Sequence, residues 1–324
     1  MSAARQPTVL QHPPLDGPHR HWPETNCAVD LWLSALQAWG EQPLALPGFA
    51  VALDFEGDQF TFLKPPPGDL QALYGITVEE LQLFRDMETH LLAQQRRGTF
   101  AMIEADGYWL PDTRGTGYRS DHAKTTIGVL SIEPEARRLR YLHNRTQASL
   151  EGEDYDGVLW RRPAPPQGWL PPYVEIARRD RRRARPKDGA LASVAVGLLR
   201  MHLERAPQTN PVQVFGETLG AELPTLHGGD PTRFHRWAFA TVRQLGAGFE
   251  LIGLHAAWLG ATLGRSTGPV PELCAAIAEG AKILQFRLAR AAARGGDGTD
   301  CLALIETLAR NRDRVISALR DHLG

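Results

Sequence analysis

The stretch TTIGVLSIEPEARRLRYLHN, residues 125–144, decides the fold of the first half of the chain. Two segments rich in β-branched and aromatic residues, 125–133 and 137–144, flank a turn near Pro134–Arg137. This pattern predicts an antiparallel β-hairpin. Strand patterns also occur in FAMIEAD (100–106) and DGVLWRR (156–162), so we predict a central antiparallel sheet in this region.

Helical patterns precede the predicted sheet. Residues 26–39 carry apolar side chains at helical spacing, and Gly40 ends the pattern. The segment 77–98 has a helical pattern as well, and Thr77 with Glu80 forms a capping-box signal at its start. Helices and strands are therefore mixed in this half, and the predicted fold class is α+β.

The character of the chain changes near residue 189, after which long helical patterns dominate. The charge run RRDRRRAR (178–185) precedes this change and is typical of a linker. We therefore predict an extended lead-in at 1–20, an α+β catalytic domain at 21–185 and an all-α domain at 189–324.

Composition excludes several function classes. The chain of 324 residues has a formal net charge of -1, so no overall field favours nucleic acid or a membrane surface. No apolar run has the length of a membrane span, no signal-peptide pattern opens the chain, and we expect a cytoplasmic protein. Its three cysteines form no CxxC pair, so we predict neither a metal site nor a disulfide framework.

Cys27 is the one cysteine whose neighbourhood favours chemistry. It follows PETN, where Thr25 or Asn26 can cap a helix, and so falls in the first helical turn. The positive end of a helix stabilises both a thiolate and an oxyanion. Cys27 is therefore a candidate nucleophile, against the alternative of a small buried residue.

A candidate base and its orienting group lie on the predicted hairpin. His122 precedes the first strand, and His143 and Asn144 end the second. Because antiparallel neighbours bring the end of one strand beside the start of the other, Asn144 is expected near His122. The order predicts a Cys–His–Asn triad, with His143 left open as an alternative base.

These residues carry a resemblance. The order of Cys27, His122 and Asn144 resembles the papain-like fold, in particular bacteriocin-leader peptidases and butirosin-type acyltransferases. The motifs ETNCAVDLW, LDFEGDQFTF, LYGI, LPDTRGTGYRSDHAKTTIG and YLHN are similar to a bacterial family associated with carrier-protein-dependent aminoacyl or acyl transfer. The likeness covers roughly residues 15–180 and implies a papain-like N-terminal domain with Cys27 as nucleophile, His122 as base and Asn144 as orienting residue.

The resemblance implies a transferase that moves an acyl or aminoacyl group through a Cys27 thioester. The donor would be a phosphopantetheine thioester on an acyl or peptidyl carrier protein, and the acceptor a small-molecule or peptide amine or hydroxyl. No other cofactor is expected to be bound, and a homodimer is compatible with the sequence. The alternatives are a cysteine amidase or peptidase and a papain-like binding protein without activity.

The chain departs from the peptidase pattern because HRHWPET, the segment before Cys27, contains no Gln to build an oxyanion hole. An activated thioester demands less of such a hole than an amide does, which favours acyl transfer. Side chains near the cysteine and the base could supply the missing donors. The candidate oxyanion donors are Asn26, His21, Trp22 and His143.

Two polar segments supply candidate substrate contacts. AVALDF (50–55) and FTFLK (60–64) predict two strands joined by an acidic turn, which is either a plain hairpin turn or a binding site for the amine of an aminoacyl group. The loop LPDTRGTGYRSDH (110–122) is polar and glycine-rich, and such loops often contact substrates. The candidates are Asp54, Glu56, Asp58, Asp112, Thr113 and Tyr118.

Overall fold

The structure is a computed structural model that describes residues 8–9, 15, 20–161, 172–180, 186–228 and 231–323. The chain forms two compact units. The first contains residues 1–12, 26–43 and 67–185, and the second contains 13–25, 44–66 and 186–324. The second unit therefore takes in residues 44–66, which the sequence pattern assigns to the catalytic domain.

The first unit is built on a seven-stranded sheet whose neighbouring strands are all antiparallel. The spatial order is β1-β6-β5-β4-β3-β7-β2, so β4 and β3 are central neighbours. The predicted antiparallel sheet and the α+β class are confirmed. The strands are β1 (Thr8–Val9), β2 (Ile76–Leu81), β3 (Phe100–Asp106), β4 (Lys124–Glu133), β5 (Arg138–His143), β6 (Thr146–Glu151) and β7 (Val174–Arg179).

The predicted hairpin at 125–144 is confirmed as the pair β4–β5. Gly128 lies opposite Leu142 and Glu133 opposite Arg138, with an irregularity between Val129 and Ser131. Four residues, 134–137, make the turn, and the Arg137 N–H donates to the Pro134 carbonyl at 3.0 Å. Local patterning is sufficient here because a short turn joins two strands that pair with each other.

Each face of the sheet has its own cover. Ile103, Ile127 and Tyr141 belong to a hydrophobic core on one face, where α3 also packs through Leu91. Helix α1 lies on the other face, where the Ser34 hydroxyl donates to the Asn144 carbonyl at 2.8 Å. The helices of this unit are α1 (Cys27–Ala38), α2 (Pro67–Tyr74), α3 (Met87–Arg97) and α4 (Glu153–Val158).

The predicted helix at 77–98 is wrong in its first part. Residues 76–81 form β2 and pair along their whole length with β7, a strand that the sequence pattern did not predict. Helix α3 begins ten residues after Thr77, and its cap is Asp86, whose Oδ1 accepts from the Thr89 N–H at 2.8 Å. Pairing with a strand nearly 100 residues away outweighs the local helical pattern.

The predicted strand at 156–162 is also wrong. Asp156–Val158 belong to helix α4, whose Tyr155 and Val158 are buried in the core. The next strand after β5 is instead β6, which begins after a two-residue turn at Asn144 and Arg145. The run RRDRRRAR begins inside β7, and its residues 181–185 lie outside the described residues.

The second unit is helical, as predicted for the C-terminal half. A π-helical turn, Phe239–Arg243, joins the helix Pro231–Ala238 to the helix Gln244–Leu263. Within the described residues, no helix is both long enough and apolar enough to cross a bilayer. The helices are α5 (Asp188–Arg205), α6 (Pro211–Glu222), α7 (Pro231–Ala238), α8 (Gln244–Leu263), α9 (Val270–Arg294) and α10 (Leu302–Leu323).

The two strands predicted at 50–55 and 60–64 are wrong. Residues 47–52 form a 3-10 helix, and only a single bridge, Phe55 to Phe60, pairs the two segments. The rings of Phe55 and Phe60 lie 5.6 and 5.7 Å from the ring of Phe215 on α6. The apolar side chains of this segment fill a core between helices, so they need no strand partner.

Candidate functional site

Cys27 is the first residue of α1, as the capping signal predicts. The Asn26 side chain closes the helix start, since its Oδ1 accepts from the N–H groups of Ala28 and Val29, both at 3.0 Å. The two cap bonds do not include the N–H of Cys27 itself. The sulfur is partly exposed, and Sγ lies 4.0 Å from Oγ1 of Thr126 on β4.

Thr126 belongs to a group of side chains that we call the β3–β4 polar cluster. Glu104 lies opposite Thr126, and Asp106 lies opposite Lys124. Because directly paired residues share a face of the sheet, all four project toward the face that α1 covers. The cluster comprises Glu104, Asp106, His122, Lys124 and Thr126, and Cys27 adjoins it through Thr126.

Two short contacts organise the cluster. Nδ1 of His122 lies 2.6 Å from Oδ2 of Asp106, and Nζ of Lys124 lies 2.6 Å from Oε1 of Glu104. The His122 ring also stacks on the Tyr108 ring, with centroids 4.5 Å apart and planes 8° from parallel. A carboxylate only accepts, so the contact with Asp106 favours the His122 tautomer that carries its proton on Nδ1.

The cluster puts the carboxylate–imidazole pair near the cysteine without direct contact. No hydrogen bond joins Cys27 to His122, both of which the structure describes. Asp106 is the diagonal neighbour of Thr126 across β3 and β4, a separation of about 7–8 Å between Cα atoms. The His122 side chain is 71% exposed, so little packing holds it in this orientation.

Asn144 does not orient His122, contrary to the sequence prediction. It occupies the turn between β5 and β6 with a φ of 48°, a left-handed conformation that Asn tolerates better than most residues. Its Oδ1 is buried without a hydrogen-bond partner. Asp106 holds the imidazole instead because β3, and not only β5, is a direct neighbour of β4.

His143, the alternative base, lies on the opposite face of the sheet from Cys27. Its Nε2 is 2.9 Å from Oγ1 of Thr125, and its Nδ1 is 2.6 Å from Oδ2 of Asp112. Thr125 and Thr126 are consecutive strand residues, so their side chains project to opposite faces. His143 therefore cannot take the proton of Cys27, and it cannot donate a hydrogen bond to an oxyanion beside Cys27.

The His143 environment is a buried polar network. The side chains of His143 and Asp112 are only 7% and 5% exposed, and the Tyr141 hydroxyl donates to Oδ1 of Asp112 at 2.5 Å. Burial, together with the charge of Asp112, raises the pKa of Tyr141 far above its ordinary value. Asp112, predicted as a substrate contact, is thus committed to holding the 107–122 loop on the sheet.

Trp22 and His21, the other candidate oxyanion donors, make hydrogen bonds elsewhere. The Trp22 indole N–H donates to the Ala278 carbonyl at 2.9 Å, so it is not available as an oxyanion donor. The His21 backbone N–H donates to Oε1 of Glu250 at 2.6 Å, and both His21 and Trp22 belong to the second unit. The N–H of Cys27, which no hydrogen bond within the described residues engages, is therefore the candidate donor that the helix start offers.

The remaining substrate candidates fall into two groups. Thr113 and Tyr118 make bonds within the first unit, to the Leu110 carbonyl at 2.9 Å and to Oδ2 of Asp154 at 3.0 Å. The acidic turn belongs to the second unit, where the Phe55 N–H donates to Asp54. Its other two carboxylates, Glu56 and Asp58, are exposed, as in an ordinary hairpin turn.

The sequence pattern missed Asp106, Glu104 and Lys124. A signal was present, because FAMIEAD ends in an acid and pairing it with 125–133 places Asp106 beside the residues before β4. Among the described residues, no group of three or more His, Cys, Asp or Glu side chains is arranged to hold a metal ion.

Comparison with protein families gives two matches in chain order. Residues 11–179 match the DUF1839 N-terminal domain, and residues 188–321 match the DUF1839 C-terminal domain. No curated protein matches the chain. The two matches together cover most of the sequence and meet near the boundary that the change in composition indicates. The chain therefore belongs to the DUF1839 family.

Proposed function

We propose that this protein is a cysteine-dependent acyltransferase that takes an acyl or aminoacyl group from a carrier-protein thioester. The observation that carries the proposal is the placement of two groups on one face of the sheet. Cys27 stands at the start of α1 beside Thr126, and the His122–Asp106 pair stands at the start of β4. A papain-like relationship, which the sequence resemblance implies, belongs to the same proposal.

The first half-reaction forms a covalent intermediate. Nε2 of His122 takes the thiol proton of Cys27, and Sγ forms a bond to the thioester carbonyl carbon of the donor. The bond to the pantetheine sulfur then breaks, and that sulfur leaves with the proton from His122. The product is an acyl group held on Cys27 as a thioester.

The second half-reaction transfers the acyl group. An acceptor amine or hydroxyl attacks the carbonyl carbon while Nε2 of His122 takes its proton, and the bond to Sγ breaks. His122 returns a proton to Cys27. During both steps the N–H of Cys27 and the positive end of α1 stabilise the oxyanion, and the Thr126 hydroxyl can donate to the thiolate.

A cysteine amidase or peptidase is the second candidate. The exposure of His122 favours it, because water has access to the group that would activate the acceptor. The two activities differ in the fate of the acyl-enzyme. Hydrolysis consumes it in water alone, whereas a transferase holds it until an acceptor amine or hydroxyl arrives.

The test is detection of the acyl-enzyme by intact-protein mass spectrometry. The full chain is incubated with an acyl-pantetheine thioester, and one acyl adduct is expected on Cys27. Cys27→Ala should abolish the adduct, while Cys301→Ala, which changes a buried thiol in the second unit, should leave it intact. Adding an amine acceptor should then discharge the adduct into an amide.

Two results would contradict the proposal. If Cys27→Ala still accumulates an adduct or transfers the group at the wild-type rate, Cys27 is not the nucleophile. If no thioester acylates the wild-type protein at all, the acyltransferase assignment fails and the binding-protein alternative gains support.

A further inference from the structure

Helix α9 of the second unit presents a long exposed stripe. Its seven exposed members are charged except for Ala276 and Ile283, and they recur at spacings of four, three, four, four, three and four residues. Such spacings follow the 3.6-residue period, so the stripe runs almost straight along the helix for about 33 Å. Its members are Glu272, Ala276, Glu279, Ile283, Arg287, Arg290 and Arg294.

Two exposed apolar side chains lie at the middle of the stripe, where Ile283 is a member and Phe286 borders it next to Arg287. Ile283 is 41% exposed, and Phe286, one helical turn further on, is 65% exposed. An isolated exposed apolar residue needs no explanation, but a neighbouring pair at the centre of a charged stripe indicates a contact surface.

The charges on the stripe have no ion-pair partners. Within the described residues, none of Glu272, Glu279, Arg287, Arg290 and Arg294 forms a salt bridge, although other exposed pairs such as Arg310–Glu306 do. The chain as a whole is close to neutral. The acidic half and the basic half of this stripe are therefore both open to pairing with opposite charges on a partner.

The charge pattern reverses about Ile283. Glu279 and Arg287 lie four residues before and after it, and Glu272 and Arg294 lie eleven residues before and after it. Ala276 and Arg290 lie seven residues before and after it, so a small side chain mirrors a long one. A helix with this symmetry is complementary to a second copy of itself that runs antiparallel.

We propose that the exposed stripe of α9 is a homodimer interface in which two copies of the helix pack antiparallel about a twofold axis at Ile283. In this arrangement Glu279 of each copy faces Arg287 of the other, and Glu272 faces Arg294. Ala276 leaves room for the long Arg290 side chain. The pair of Ile283 side chains meets on the axis, with the two Phe286 rings beside it.

A second copy fits this surface better than other occupants do. Nucleic acid would be repelled by Glu272 and Glu279, which lie on the same stripe as the arginines. An anionic membrane would be repelled by them as well, and two apolar side chains give little insertion. A single helix pair buries less than a standard interface, so the dimer is expected to be weak and salt-sensitive.

The test is the oligomeric state of the full chain by sedimentation equilibrium at low and high salt. The wild type should form a dimer that dissociates as salt rises. Glu272→Arg with Glu279→Arg, or Arg287→Glu with Arg294→Glu, should each weaken dimerisation by about tenfold or more, because facing charges become alike. The matched control is Arg314→Glu on the exposed side of α10, which should leave the dimer unchanged.

Combining the charge reversals distinguishes this dimer from a general loss of solubility or folding in the variants. A mixture of the two double variants should form a heterodimer, since one stripe is then basic at every charged position and the other is acidic at every charged position except Arg290. The chain with all four reversals should regain the homodimer. A wild type that stays monomeric at high concentration, or double variants that fail to combine, would overturn the proposal, and an unchanged circular dichroism spectrum checks folding.

Discussion

At the scale of single residues, the three thiols of the chain differ in their surroundings. Cys274 is fully buried, and burial raises its pKa far above the ordinary value. Burial and then the charge of Asp300 raise the pKa of Cys301 to about 11. Cys27 alone among the three is partly exposed, and it stands at a helix start.

This difference predicts selective alkylation. Because only the thiolate reacts, iodoacetamide at mildly alkaline pH should modify Cys27 and leave Cys274 and Cys301 unlabelled in the native protein. Cys27→Ser should remove the label, and unfolding in denaturant should expose all three thiols. Peptide mapping by mass spectrometry checks the sites, and native labelling at Cys274 would contradict the reasoning.

The two histidine–aspartate pairs allow a matched comparison of catalytic and structural roles. Asp106 and Asp112 each hold a histidine Nδ1 at 2.6 Å, but on opposite faces of the sheet. Asp106→Asn should slow acyl-adduct formation on Cys27 by about 100-fold or more, because the amide oxygen stays with the Tyr108 N–H and the amide nitrogen in place of Oδ2 cannot accept from His122. Its free energy of unfolding should change little, since the His122 side chain is 71% exposed and the pair contributes little to stability.

Asp112→Asn should do the opposite. It should lower the free energy of unfolding by about 1–3 kcal/mol, because an amide has one acceptor oxygen and leaves either the buried His143 or the buried Tyr141 without its acceptor. Adduct formation should stay near the wild-type rate. Urea denaturation and adduct kinetics on both variants check the pair, and an inactive but stable Asp112→Asn protein would show that the wrong histidine was chosen.

At the scale of elements, the N-cap of helix α3 is Asp86 and not the predicted capping box of Thr77 and Glu80. Asp86 accepts from both the N–H and the hydroxyl of Thr89, each at 2.8 Å. Asp86→Ala should cost about 1 kcal/mol of unfolding free energy, whereas Asp86→Ser keeps a capping oxygen and should cost much less. Equal losses in the two variants, measured by urea denaturation, would contradict this assignment of the cap.

Helix α8 carries a buried histidine that makes stability depend on pH. His255 donates from Nδ1 to the Leu44 carbonyl at 2.7 Å, and its Nε2 is buried without a partner. Burial lowers the pKa of His255 from 6.5 to about 4. The native protein therefore keeps the imidazole neutral in a range where the unfolded chain binds a proton.

The sign of the effect follows from proton uptake. Between pH 6.5 and 4 the unfolded chain binds more protons at this residue, so the stability that is fully present above pH 6.5 falls as the pH drops toward 4. The loss should reach about 3 kcal/mol. His255→Asn, which keeps a donor near Leu44, should flatten this part of the curve, and an unchanged slope in denaturation at several pH values would contradict it.

At the scale of the whole molecule, the second unit is not a simple C-terminal segment. Its core includes Phe55 and Phe60 beside Phe215, and its buried Trp22 donates to the Ala278 carbonyl. Trp22, Phe55 and Phe60 all precede β2 and every later strand in the sequence. The match to the C-terminal family domain begins only at residue 188 and omits them.

A fragment of residues 186–324 should consequently fail to fold as a stable domain. It keeps its helical patterns but loses two phenylalanine side chains and a tryptophan from its core. This should lower the free energy of unfolding by several kcal/mol. We expect helical circular dichroism without a cooperative thermal transition. A fragment whose melting temperature equals that of the same unit in the full chain would contradict the importance of the early segments.

Patterns of local sequence determined the β4–β5 hairpin, the start of α1 at Cys27 and the helices after residue 188, because the interactions that form them join residues close in the chain. Only the tertiary structure decided the rest. The pairing of β2 with β7 and of β3 with β4 joins segments that no local pattern connects, and it selects Asp106 rather than Asn144 as the partner of His122. Sheet pairing also separates His143 from Cys27, since consecutive strand residues face opposite sides and the sequence alone does not say which side α1 covers.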